Sequence, residues 1–189
     1  MSAVKASADK LFKTLSAVDL ITVVVFAALF RILFMIYKLA EIIFPWNHPA
    51  WYFFCMLCLT PALLIVKKLG VPMIFTITWL AINFFFQGEI PLWWICIVTV
   101  ALLPEIYLYF TAKKDGLKAT FESFRVQMVT GLLYTLGAYV SNMLLIMYAL
   151  QNPVPKILFW PVGVLALIFG ALGTWAGFGI GKKIQGLIG

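Results

Sequence analysis

The polar side chains best placed to bind a ligand lie in a short loop between two strongly apolar segments. Gln87 and Glu89 belong to this loop, and the next apolar segment begins with the pair Trp93 and Trp94. Asn83 precedes Gln87 by one helical turn, so both side chains can face one cavity. Indole rings stack against flat molecules, while amides and carboxylates orient them by hydrogen bonding. The pattern predicts a binding site for a small, flat solute.

A second group of polar and aromatic residues, within residues 41–51, is predicted to join this site. Its members are Glu41, Trp46, Asn47 and His48. Asn142, in a later apolar segment, is expected to reach the same cavity from another helix. A plain aromatic belt would also place tryptophan at membrane interfaces, but a belt is two-sided. Five of the seven tryptophans lie in or beside loops of one side, which favours a binding pocket.

Other residue types that carry chemistry are few. Cys55 and Cys58 have the C-x-x-C spacing of metal and redox sites, but cysteines in apolar runs usually act as small buried hydrophobic residues. A zinc site would need two further ligands, and we assign no metal and no other cofactor. No G-x-x-x-x-G-K-[ST] loop, G-x-S-x-G or H-E-x-x-H motif occurs in the sequence, and His48 alone is a thin basis for acid-base catalysis. We therefore expect no enzymatic activity.

Two ionisable residues, Arg31 and Glu105, lie deep within apolar segments. Charges at membrane depth cost free energy, and they usually face the protein interior. An unpaired charge at this depth is hard to tolerate, and both side chains are long enough to form a buried ion pair. A structural ion pair between Arg31 and Glu105 and contact with a ligand both remain open.

Helices that cross a membrane must position these residues. Of the 189 residues, 64% are hydrophobic and 11% are charged, whereas about 25% of residues in soluble proteins are charged. Six apolar segments approach or exceed the ~20 residues that span a bilayer, namely residues 20–40, 49–66, 71–86, 90–112, 126–150 and 157–180. The sequence predicts an all-α integral membrane protein with six transmembrane helices in one domain, residues 1–189. Residues 1–18 fit either an interfacial helix or a frayed cytoplasmic tail.

Basic residues alternate between the two sides of the predicted helices. Every predicted loop on one side carries lysine or arginine, whereas the loops of the other side carry only Lys156. Basic residues near helix ends favour the cytoplasm, so both termini are predicted to be cytoplasmic and the pocket extracellular. The net charge of +7 fits an anionic inner leaflet and gives no support for a nucleic-acid partner. The predicted location is the cell membrane, with multiple spans.

The last predicted helix is rich in small residues spaced four apart. Gly173 and Gly177 form one such pair, and Gly177 and Gly181 form the next. This spacing lets a second helix approach closely. That helix belongs either to this chain or to a partner subunit, and both alternatives stay open.

Six helices in 189 residues, cytoplasmic termini, an aromatic outer pocket and no ATPase motif resemble the substrate-binding S components of energy-coupling-factor (ECF) vitamin transporters. The hairpin that ends in Pro-Glu-Ile-Tyr, residues 104–107, is similar to the branch for thiamine precursors such as hydroxymethylpyrimidine. The resemblance implies capture of a vitamin-like solute from outside, with a transmembrane coupling subunit and two ATPase subunits as partners. S components often dock through Ala-x-x-x-Ala on the first helix, whereas Val23 and Val24 precede Ala27 and Ala28 here.

Three other classes compete with this interpretation. An autonomous carrier or channel would move solute across liposomes without partner subunits. An intramembrane enzyme would modify a lipid or an isoprenoid. A structural subunit of a larger membrane complex would do neither.

Overall fold

In the computed structural model, the described part of the chain is α-helical throughout. The structure describes residues 15–43, 49–87, 92–144, 147 and 156–188, and side chains are described for residues 15–38, 49–86, 100–144, 147 and 159–187. The helices in these ranges are α1 (Ala17–Ile43), α2 (Trp51–Val66), α3 (Val71–Gln87), α4 (Leu92–Asp115), α5 (Leu117–Glu122), α6 (Phe124–Leu144) and α7 (Lys156–Ile188). No β-strand occurs within them. The predicted all-α class is confirmed.

Six of the described helices are long, and each coincides with one of the predicted apolar segments. The largest difference in their bounds is at α7, which continues to Ile188 rather than ending at residue 180. The short helix α5 was not predicted, because its six residues follow a run of lysines that resembles a loop. Gly116, with a φ of 84°, separates α5 from α4. The predicted fifth helix is described to Leu144, and most of residues 145–155 lie outside the described ranges.

Helix α2 is the central helix of the bundle. Eleven of its 16 residues are buried, and its apolar residues cover all sides rather than one stripe. It contacts α1, α3, α5, α6 and α7. A helix that is apolar all round is expected at the core of a bundle. Helices α1 and α7 pack extensively on α2, whereas α4 packs mainly on α6 and α3 packs mainly on α1.

Helix α7 packs closely on α2 through two of its glycines. A Cβ added at Gly173 would lie 2.3 Å from the carbonyl oxygen of Phe53, and one added at Gly177 would lie 3.0 Å from the carbonyl oxygen of Met56. A larger side chain at either position would crowd the α2 backbone. Gly173 and Gly177 are thus used for packing within this chain.

The outer faces of the long helices carry large apolar side chains. On α1 and α7 the exposed residues include Ile21, Val25, Leu29, Ile32, Ile36, Trp160, Val164, Ile168, Leu172 and Trp175. A helix at the surface of a soluble protein carries polar residues on this face. Two segments of the described chain, Ala17–Lys38 with 22 residues and Phe159–Leu187 with 29, are long and apolar enough to cross a membrane.

Candidate functional site

Two of the ten predicted ligand-binding residues, Asn83 and Asn142, have described side chains. The other eight side chains lie outside the described residues, namely Glu41, Trp46, Asn47, His48, Gln87, Glu89, Trp93 and Trp94. Four of these eight belong to described helices by their backbone, at the end of α1, the end of α3 and the start of α4. Their grouping into one pocket stays a prediction.

Asn83 lies in an aromatic interior where α1 packs against α3. Its side chain is buried, and its Oδ1 has no hydrogen-bond partner among the described residues. One turn earlier on α3, Trp79 meets Phe30 of α1 edge to face, with ring centroids 5.7 Å apart. Arg31 follows on α1 and is only 3% exposed; its guanidinium carbon lies 5.4 Å from the Phe34 ring centroid. A guanidinium beside an aromatic ring and a buried amide oxygen one turn from Trp79 thus occur on two helices that pack together, and both are groups that can bind a polar heterocycle.

A buried hydroxyl pair connects α3 to α6. The Thr76 hydroxyl donates to the Pro72 carbonyl at 2.7 Å, and the Tyr134 hydroxyl lies 2.7 Å from the same Thr76 oxygen. Because a threonine hydroxyl has one proton, Tyr134 must be the donor to Thr76. Sequence reasoning missed both residues. A hydroxyl side chain within a strongly apolar helix was the signal that marked Thr76.

Asn142 is partly buried on α6, and its Oδ1 has no hydrogen-bond partner among the described residues. On the same helix, the Tyr139 hydroxyl donates to the carbonyl oxygen of Phe159 of α7. This contact holds α6 to α7, and the shared cavity of Asn83 and Asn142 remains a prediction.

The Glu105 carboxylate caps the start of α3. Its two oxygens accept hydrogen bonds from the backbone N–H groups of Gly70 at 3.0 Å and Met73 at 3.4 Å. The first N–H groups of a helix have no partner within it, and a carboxylate there also interacts favourably with the helix dipole. The turn needs Gly70 because its φ is 92°. Backbone N–H groups engage the Glu105 carboxylate. The two alternatives for Arg31 and Glu105, an ion pair or contact with a ligand, stay predictions.

The same end of the bundle, which we call the basic end, holds two ion pairs around the turn between α2 and α3. Lys68 donates to Asp19 of α1 at 2.6 Å, and Lys67 donates to Glu122 of α5. Asp19 also accepts from the backbone N–H of Ser16 at 2.7 Å, while Ser16 Oγ accepts from the N–H of Asp19 at 3.2 Å. This reciprocal pair is a capping box. Sequence reasoning missed it, although Ser-x-x-Asp before an apolar run is its signature.

Positive charge at the basic end acts on Glu122. The hydrogen bond from Lys67 holds the pKa of Glu122 below its ordinary value of 4.5, with smaller contributions from the charges of Lys118 and Lys182. The carboxylate is therefore ionised at neutral pH, when the ion pair holds α5 against the turn.

The described residues contain no cluster of side chains that could bind a metal ion. Cys55 and Cys58 are both buried and are free thiols. The described residues hold no group of three or more His, Cys, Asp or Glu side chains that could bind a metal ion. Cys55 and Cys58 instead belong to the hydrophobic core of the bundle.

Comparison with known proteins gives no relative: no family model, no curated protein and no solved structure matches this chain.

Proposed function

We propose that the chain is an integral membrane protein of the cell membrane, with α1 to α4, α6 and α7 as six transmembrane helices and both termini in the cytoplasm. The exposed apolar faces of the long helices support it, as do the two segments with the length and composition of a span. The lysines at the basic end support the orientation, because basic residues near helix ends favour the cytoplasm. In this arrangement α5 lies at the cytoplasmic surface.

Within that membrane frame, we propose that the protein captures a small, vitamin-like solute from outside, as the S component of an ECF-type importer. The observation that carries this proposal is the burial of two polar side chains on the packed helices α1 and α3, the Arg31 guanidinium beside the Phe34 ring and the Asn83 amide. A flat heterocycle of the thiamine-precursor kind offers a ring face for stacking and ring nitrogens for hydrogen bonding. Gln87 and Glu89 follow Asn83 along the chain toward the proposed extracellular side.

Import against a gradient needs energy, and the proposal assigns its supply to partner subunits. Two ATPase subunits would bind and hydrolyse ATP, and a transmembrane coupling subunit would connect them to this chain, which binds the solute. The proposal includes no metal, no cofactor and no nucleic acid.

The test measures tryptophan fluorescence of the purified full chain against a panel of vitamins and their precursors, including hydroxymethylpyrimidine. We expect saturable quenching by one member of the panel. Asn83→Ala, Glu89→Gln and Trp94→Phe should each weaken binding by roughly tenfold, because a lost hydrogen bond or stacking contact costs about 1–1.5 kcal/mol. Lys113→Gln, at the opposite end of α4, is the control and should bind as the parent protein does.

Other outcomes would identify another class of protein. No response across the panel would contradict the proposal. Uptake of solute into liposomes by this chain alone, without ATP, would identify an autonomous carrier or channel, and modification of a lipid would identify an enzyme. Co-purification with coupling and ATPase subunits distinguishes the importer from both.

A further inference from the structure

A groove runs along the outside of the bundle between the start of α6 and the last turns of α7. Its volume is about 460 Å³, and its lining consists of Phe124, Trp175, Ala176, Phe178, Gly179, Ile180 and Lys183. Phe124 and Phe178 meet edge to face across it, with ring centroids 5.1 Å apart. The lining is apolar except at Lys183, and Trp175 is 65% exposed.

Gly179 leaves the floor of the groove open. A Cβ built at this position meets no atom within 4 Å, whereas one built at Gly173 meets the α2 backbone at 2.3 Å. Gly179 is therefore not needed for the packing of α7 against α2. A larger side chain at this position would fill the groove without displacing a helix.

Positive charge surrounds the cytoplasmic rim of the groove. Lys183 is part of the lining, and the exposed Arg125 follows Phe124 at the start of α6. Lys182 lies over the Phe178 ring, with its nitrogen 5.6 Å from the centroid, and acts on Glu122. The rim thus attracts an anion, while the groove accepts a hydrocarbon chain.

We propose that this groove binds an anionic phospholipid of the inner leaflet, with an acyl chain against Trp175 and Phe124 and the phosphate at Lys183. The proposal rests on the membrane embedding proposed above, and it is independent of the identity of the solute. The volume lies within the ~300–1,000 Å³ of small-molecule sites, so the groove holds one chain rather than a whole lipid. Basic residues beside apolar surface at the cytoplasmic interface are the chemistry that selects anionic headgroups.

The test places the full chain in phosphatidylcholine vesicles and titrates in brominated phosphatidylglycerol, which quenches tryptophan on contact. The difference between the parent protein and Trp175→Phe gives the quenching at the groove alone. We expect this component to show a preference for phosphatidylglycerol over brominated phosphatidylcholine. Lys183→Gln should reduce the preference about fivefold, which corresponds to the ~1 kcal/mol of one lysine near an anionic surface. Lys113→Gln, with the same loss of charge outside the groove, should retain it.

A second variant tests the apolar part of the site. Gly179→Leu fills the groove, so the quenching at Trp175 should fall for both lipids while the unfolding temperature stays near that of the parent protein. Gly186→Leu is the matched control, because a Cβ at Gly186 also meets nothing within 4 Å and this residue is not part of the lining.

Equal quenching by the two lipids, or an unchanged preference in Lys183→Gln, would overturn the proposal. Absence of quenching at Trp175 by either lipid would also overturn it. Solute binding is measured on the same vesicles. If the protein binds the solute but shows no lipid preference, the lipid site alone is overturned. If it shows the lipid preference but binds no solute, the transport function alone is overturned.

Discussion

At the scale of single residues, Glu105 caps the start of α3. Because Glu105 lies in an apolar segment, the sequence predicts that its carboxyl group needs a partner. The partners are two backbone N–H groups of a turn 32 and 35 residues earlier in the chain. Because backbone donors carry no mark in the amino-acid sequence, only the folded arrangement of α3 against α4 identifies them.

Removal of the Glu105 carboxylate should destabilise the fold. We expect Glu105→Ala to lower the free energy of unfolding by about 1–2 kcal/mol, the cost of a lost helix cap. Glu105→Gln keeps one carbonyl oxygen and should lose less. Thermal unfolding in detergent micelles measures both, and an unfolding temperature for Glu105→Ala equal to that of the parent protein would refute the capping role.

Arg31 and Glu105 should act independently. A double-mutant cycle with Arg31→Gln and Glu105→Gln should give additive losses in the free energy of unfolding, because the Glu105 oxygens bind the turn. Additivity within about 0.5 kcal/mol is the expected result for sites that share no partner. A larger coupling energy would instead indicate an ion pair between Arg31 and Glu105.

The ion pair between Lys67 and Glu122 should make stability depend on pH. The pKa of Glu122 is lowered in the folded protein, so its contribution is present above the unfolded pKa of ~4.3 and is lost as the pH falls through the folded value. Glu122→Gln should therefore lower the unfolding temperature at neutral pH, and the difference from the parent protein should shrink as the pH falls below the unfolded pKa. Asp115→Asn, which removes an exposed carboxylate nearby, is the control. A difference for Glu122→Gln that did not change with pH would exclude this mechanism.

At the scale of helices, apolar run length predicts where the long helices lie but not which faces meet. The runs are long and uninterrupted, so even α2 and α3 are recognisable from hydropathy alone. The glycines of α7 show why the contacting faces cannot be predicted from the sequence. Their spacing is the same whether the neighbouring helix is α2 or belongs to another protein. The structure places Gly173 and Gly177 against α2 and leaves Gly179 open.

Two alanine substitutions in α7 should therefore have opposite effects. Gly173→Ala brings a methyl group into the Phe53 carbonyl and should cost about 1–3 kcal/mol through overpacking. Gly179→Ala meets nothing and should be neutral or stabilise the helix by up to about 1 kcal/mol. Unfolding in denaturant measures the two variants side by side. Similar effects from both would show that α7 does not pack on α2 through this face.

At the scale of the whole molecule, the distribution of charge predicts orientation. The sequence alone predicts two sides of unequal charge, and the described ion pairs bring lysines of the turn between α2 and α3 together with acidic residues of α1 and α5. Most side chains of the predicted outer pocket lie outside the described residues, so their grouping into one pocket stays a prediction.

Cysteine labelling tests the orientation directly. In a Cys96→Ala background, Lys118→Cys should react with a membrane-impermeant thiol reagent only in inside-out vesicles, and Asn152→Cys only in right-side-out vesicles. The buried Cys55 and Cys58 should give little background. Labelling of both positions from one side would rule out the six-span arrangement.

The contacts at the basic end also set how the bundle can move. One turn is attached to α1 through Asp19, to α4 through Glu105 and to α5 through Glu122. Helix α1, with 27 residues, is a lever roughly 40 Å long at ~1.5 Å per residue. A tilt of only about 5° around that anchored turn moves its far end by roughly 3–4 Å, by the same rise per residue. Opening wide enough to admit a flat ring therefore requires no break at the anchored end.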